Sequence, residues 1–235
     1  MWRERVVAAD RPASADLTMM KETAQPWLWL ADIEPATRPE WIERHAPWLS
    51  ESEQARLQRI GRPERRAQLL AGHVLLRRLV AARAGMAACD VELGSQSDGR
   101  VELLSPSGWQ PSLAHSKQWV AALADMGVRG AGVDIELMQA ERQIQAIVHM
   151  ACAVETESRE HAYLVWAQHE AELKAGAGAI GAWVTTWSGH ALAICASASP
   201  LVMQVDLASD AAARALDLVW SAQQRLTLPR DGNGR

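Results

Sequence analysis

Three observations predict an α+β fold in two lobes of similar size. A strand-like run, then helices, then strand-like runs occur in that order twice along 235 residues. Apolar residues recur at helical spacing in 62–85 but form short continuous runs in 119–126 and 191–196, as buried strands do. Hydrophobic residues make up 49% and charged residues 22%, a balance that suits globular domains and not disorder. We divide the chain into a loosely held arm (1–25), an N-terminal lobe (26–110), a C-terminal lobe (111–220) and a polar tail (221–235).

WLWLADIE (27–34) reads as the first strand. RPEWIERH (38–45) and LSESEQARLQRIG (49–61) read as helices, and Ser50 with Glu53 three residues later forms a candidate capping box. Residues 62–85 read as a long amphipathic helix ending at Gly85, with Leu69, Val74, Leu75, Leu76, Leu79 and Val80 spaced for burial. VELGSQSDGRVELL (91–104) is a hairpin turning at Ser97-Asp98-Gly99. WVAALADM (119–126) is a buried strand, and RGAGVDIEL (129–137) is another. Residues 139–176 are mostly helical, and 181–199 form a hairpin with ALAICAS buried.

The formal net charge of -4 gives no bulk attraction to nucleic acid or membrane. Cys89, Cys152 and Cys195 lie far apart, without metal or redox spacing, and read as small apolar side chains in a reducing compartment. The first twenty residues carry charges throughout and contain no secretory apolar region. No apolar run approaches the ~20 residues that span a bilayer. These features point to a soluble cytoplasmic protein. His45, His73, His149, His161 and His190 have no partner at metal-ligand spacing and read as surface or core histidines. Ser188 in TWSGH lacks the G-x-S-x-G setting of a nucleophile.

Two acidic segments carry the chemistry. In AGVDIE, Val133 and Ile135 point to one face of a strand, and Asp134 and Glu136 to the other. Adjacent carboxylates on one face repel each other unless the face is wet or a hard dication sits between them. In WAQHEAELKA (166–175), Trp166, Glu170 and Lys174 recur every four residues and share one helix face. Alone, Glu170 and Lys174 make an ordinary ion pair. Together the segments can build a three-carboxylate metal site beside a cation, an arrangement suited to phosphoryl transfer.

This pair of motifs resembles the 4′-phosphopantetheinyl transferases of the surfactin-synthetase-activating (Sfp-like) type. GVDIE (132–136) matches their G-[VI]-D-[IV]-E, and WAQHEAELK (166–174) matches W-x-x-K-E-[AS]-x-x-K. Ala114-His115-Ser116 matches a Ser-His-Ser motif, LLAGHVLLRR (69–78) resembles a helix of type LLGxxLLR, and ALAICA (191–196) resembles the last core strand. The likeness covers roughly residues 27–200, in order. It implies two pseudo-symmetric α+β lobes with the active site at their junction. It also implies Mg²⁺-dependent transfer of the phosphopantetheine arm of coenzyme A to a serine of an acyl or peptidyl carrier protein, releasing adenosine 3′,5′-bisphosphate. By the same resemblance, Asp134, Glu136 and Glu170 hold the metal. Glu170 takes the serine proton, and Lys174 stabilises charge on the transferring phosphate. His115 and Arg56 meet the 3′-phosphate of coenzyme A, Ser116 belongs to the same motif, and Arg100 lies beside the adenine. A monomer is expected.

Three positions depart from the pattern. His169 replaces a Lys, Gln68 stands where the family has an Arg, and Val101 replaces a Pro. Arg65 or Arg66, about one turn from Gln68, is placed to compensate. The departures leave open a weak or inactive relative that binds coenzyme A or a carrier. Residues 56–83 contain eight Arg and one acid, Glu64, a local charge of +7. The stripe reads as solvated helix faces, as a docking surface for polyphosphate and an acidic carrier, or as a nucleic-acid surface. No nucleic-acid fold motif accompanies it.

Overall fold

A computed structural model describes residues 25–126, 130–176, 181–209, 213–224 and 226. The arm therefore lies outside the described residues except for Gln25, and so does the tail apart from 221–224 and 226. The first sheet is built around β1 (Trp27–Asp32), which pairs antiparallel with β5 (Trp119–Met126). β4 (Trp109–Ser116) flanks β5 as an edge strand. On its other side β1 pairs in parallel with β9 (Leu201–Val205), which carries β10 (Ala213–Leu216). The second sheet runs β11-β7-β8-β6, where β6 is Gly132–Leu137, β7 Gly181–Trp187, β8 His190–Ala196 and β11 Ser221–Gln223. β2 (Glu92–Ser95) and β3 (Val101–Ser105) form the expected separate hairpin.

The helices follow their local signals. The short α1 (Pro39–His45) opens on a Pro. α2 (Glu51–Arg59) starts with the Ser50–Glu53 capping box, both of its hydrogen bonds formed. α3 (Pro63–Ala84) also opens on a Pro and closes on Gly85 at φ 70°, the left-handed geometry that glycine adopts without steric cost. Residues 139–176 resolve into α4 (Ile144–Cys152) and α5 (Arg159–Ala175), separated by a non-helical stretch. The Ser158 hydroxyl caps α5 by accepting from the His161 amide.

Alternation along the strands assigns every face. Trp27, Trp29 and Ala31 of β1, with Val120, Ala122 and Ala124 of β5, pack on α3. Leu28, Leu30, Ala121 and Leu123 point the other way and meet Val133, Ile135, Leu192 and Ile194 of the second sheet. Ala191, Ala193 and Cys195 of β8 then face α5. The result is helix, sheet, sheet and helix in four layers. β5 and β8 are covered on both faces, which is why their sequences read as continuous apolar runs.

Two expectations change. The boundary at 110–111 falls inside β4, because β4 and β5 complete the sheet of β1; the chain crosses to the second sheet only after Met126. Ser221–Gln223, assigned to the tail, pair with β7. No helix among the described residues is long and apolar enough to cross a membrane.

Candidate functional site

Because Val133 and Ile135 are drawn into the apolar layer between the sheets, Asp134 and Glu136 face α5. The helix can lie close to β6 because residue 132 is glycine: a Cβ there would sit 1.9 Å from the Ala171 carbonyl oxygen. Gly130 makes a similar approach to Ala175. The shared face of Trp166, Glu170 and Lys174 thereby meets the acidic strand. Lys174 Nζ donates to Asp134 Oδ1 at 2.7 Å and to the Val133 carbonyl at 2.9 Å. Trp166 Nε1 donates to Glu136 Oε1 at 3.2 Å, and Arg142 Nη1 reaches Glu136 Oε2 at 3.1 Å. Glu170 lies between these contacts in sequence, half-buried, and its charge is felt at Asp134.

Asp134 is 7% exposed, and its Oδ2 is buried without a hydrogen-bond partner. Burial pushes its carboxyl up to about 7; Lys174 opposes the shift, and Glu136 and Glu170 add to it. No group of three or more His, Cys, Asp or Glu stands in a metal-holding arrangement among the described residues. The expected triad of Asp134, Glu136 and Glu170 lies on the facing sides of β6 and α5 but is not drawn together, since the first two are engaged by Lys174 and by Arg142 with Trp166.

A cavity of about 630 Å³ opens beside this cluster. Its wall takes Arg56 from α2, Arg65 and His73 from α3, Arg100 after the hairpin turn, His115 from β4 and Lys174 from α5. Arg65 Nη1 lies 2.7 Å from Nε2 and 2.9 Å from Nδ1 of His115. The same Arg65 atom donates to Gln68 Oε1 at 3.0 Å, and Gln68 Nε2 donates to the Lys117 carbonyl at 2.7 Å. Gln68 therefore steadies Arg65, which brings the guanidinium to His115. Lost hydration, then the charges of Arg65 and Lys174, hold His115 down at about 4, although the ring keeps an exposed edge. Arg100 donates to the Lys174 carbonyl at 2.7 Å and so ties the hairpin turn to the end of α5.

Of the expected residues, Arg56, Arg100, His115 and Lys174 line the cavity, whereas Asp134, Glu136, Glu170, Ser116 and His169 are not in its wall. The Ser116 hydroxyl accepts from the Leu137 amide at 2.9 Å and joins β4 to β6, as Ser112 does to Val133 at 3.1 Å. His169 is buried, 5.5 Å from the Trp166 ring centroid, and its Nδ1 has no partner. It does not reach the cavity, because the helix turns it toward the core. Reading the sequence passed over Arg142, whose loop carries no periodic signal. Arg65, one of the two residues expected to compensate for Gln68, is the one that hydrogen-bonds it. No family model matches the chain, and no curated protein matches it.

Proposed function

We propose that this chain is a 4′-phosphopantetheinyl transferase of two pseudo-symmetric lobes, acting as a cytoplasmic monomer on an acyl or peptidyl carrier protein. The observation that carries the reading is the meeting of an acidic strand pair with the Lys174 face of α5 at the end of a cavity lined by Arg56, Arg65, Arg100 and His115. Such a cavity suits a ligand with several phosphates. Coenzyme A is the ligand that the motif resemblance names.

The donor chemistry suits a hard dication, which would have to draw the three carboxylates together. Asp134 keeps a buried unpartnered oxygen, and its pKa is raised chiefly by burial, with Glu136 and Glu170 adding to the shift and Lys174 opposing it. Asp134, Glu136 and Glu170 would hold Mg²⁺, which would supply positive charge to the pyrophosphate oxygens. Arg65, His115 and Arg56 would hold the 3′-phosphate of coenzyme A. Glu170 would accept the proton of the carrier serine as the serine oxygen bonds to the β-phosphorus of coenzyme A. The bond from that phosphorus to the adenosine bisphosphate breaks, and the bisphosphate leaves with the electron pair. Lys174 would face the charge that develops on the transferring group.

The test is the intact mass of a carrier protein after incubation with this chain, coenzyme A and Mg²⁺, with and without EDTA. A Mg²⁺-dependent gain of one phosphopantetheine group is expected. Full transfer by Glu170→Gln would overturn the assigned roles. The burial of His169 favours a second reading, a relative that binds coenzyme A or a carrier without turnover. In that case coenzyme A binds by direct titration while no carrier gains mass.

A further inference from the structure

Glu136 and Asp134 are each met by a cation of the chain itself, but on different terms. Lys174 is tied to Asp134 and to a backbone carbonyl, in a pair whose side chains are 25% and 11% exposed. Arg142 has one ionic contact, Glu136 at 3.1 Å, in a pair 31% and 25% exposed. The second pair is the weaker and the more easily exchanged. Its guanidinium is also held from a second side where it stands. Its central carbon is 5.8 Å from the Trp166 ring centroid and 6.0 Å from that of Tyr163, within reach of a cation–π contact. Tyr163 holds the start of the loop that carries Arg142, since its hydroxyl accepts from the Gln139 amide at 2.9 Å and donates to the Gln139 carbonyl at 3.1 Å. Trp166 links the two positions, because its indole N–H donates to Glu136 while its ring lies under Arg142.

We propose that Arg142 is an internal stand-in for the divalent cation: it neutralises Glu136 and yields that carboxylate, while keeping its place over the Trp166–Tyr163 aromatic pair, when a dication binds. The inference rests on the reading of Asp134 and Glu136 as a cation site. Arg142 is then a positioning residue that sets metal affinity by competition. A dication touching both carboxylates gains more than a single guanidinium at one of them, so exchange runs toward the metal.

The test is Mn²⁺ binding to the whole chain, read from the free Mn²⁺ electron paramagnetic resonance signal, for wild type, Arg142→Gln, Arg142→Lys and Glu136→Gln. Arg142→Gln is expected to bind Mn²⁺ roughly three- to tenfold tighter than wild type, with Arg142→Lys close to wild type. In EDTA Arg142→Gln should melt below wild type, and Mn²⁺ should restore it. A merely structural arginine would weaken binding when removed, so an Arg142→Gln affinity equal to or below that of wild type overturns the proposal. If wild type also exceeds Glu136→Gln, only the role of Arg142 falls. If wild type and Glu136→Gln bind Mn²⁺ alike, the cation site falls, and the functional reading with it.

Discussion

Glu53 shows how much one side chain can carry. It closes the capping box of α2 by accepting from the Ser50 amide at 2.7 Å. Its carboxylate also takes two bonds from Arg77, at 3.0 and 2.6 Å, and one from His73, all three residues being buried. Burial alone would raise its pKa, but the His73 and Arg77 contacts outweigh that and hold it well below its ordinary value of 4.5. A depressed carboxylate stabilises the fold above its ordinary value, and the contribution fades as pH falls below it. Glu53→Gln should therefore cost about 3–5 kcal/mol near neutral pH and flatten the loss of stability below about pH 4. Denaturant melts at pH 7, pH 4 and about pH 2.5 check both. His115 works in the opposite sense. Its ring is neutral at pH 7, and a phosphate beside it would favour the imidazolium. Coenzyme A binding should take up a proton and weaken as pH rises through the bound ring's pKa. Calorimetry in buffers of different ionisation heat reads this directly. Arg65→Ala should raise KM for coenzyme A about tenfold, with kcat nearly unchanged, as expected for a contact equal in ground and transition states.

At the scale of the element, the site depends on how closely α5 lies on β6. Small side chains, Ala167, Ala171 and Ala175, line the contact, and Gly132 removes the last obstacle. Gly132→Ala should push the helix off the strand, separate Lys174 from Asp134 and cost about 3 kcal/mol or more, because the clash is with backbone that cannot rotate away. Gly72 in α3 is a control. A Cβ there would meet Leu113 at 3.8 Å, an ordinary contact. Gly72→Ala should leave stability unchanged or raise it by up to about 1 kcal/mol through helix propensity. Thermal unfolding of the two variants separates close approach from propensity.

For the whole molecule, the cavity exists because two sheets meet. α2, α3 and β4 form one wall and the end of α5, with Lys174, the other, so the two walls come from elements packed on different sheets. Ser112 and Ser116 fasten this seam by accepting amide hydrogens of β6. Replacing both by Ala should cost about 1 kcal/mol each and lower affinity for coenzyme A, without changing the helical circular dichroism. A variant pair with normal stability and normal binding would show that apolar packing alone holds the seam.

The sequence by itself determined most helices, the strands up to β8 except β4, and much of the acidic half, but not β9, β10 and β11. Period-2 alternation turned Asp134 and Glu136 to one face, and spacing by four put Trp166, Glu170 and Lys174 on another, because both follow from local backbone geometry. The capping box and the Gly85 stop were readable for the same reason. Only the tertiary structure decided who answers whom. β9 joins β1 in parallel from about 170 residues away, and no local pattern encodes such a pairing. Arg142 meets Glu136, Arg65 meets His115, and Ser116 joins a seam instead of a cavity wall, because each depends on where two distant segments cross. The faces of elements are written in periodicity, whereas contacts between elements depend on the packing of the whole chain.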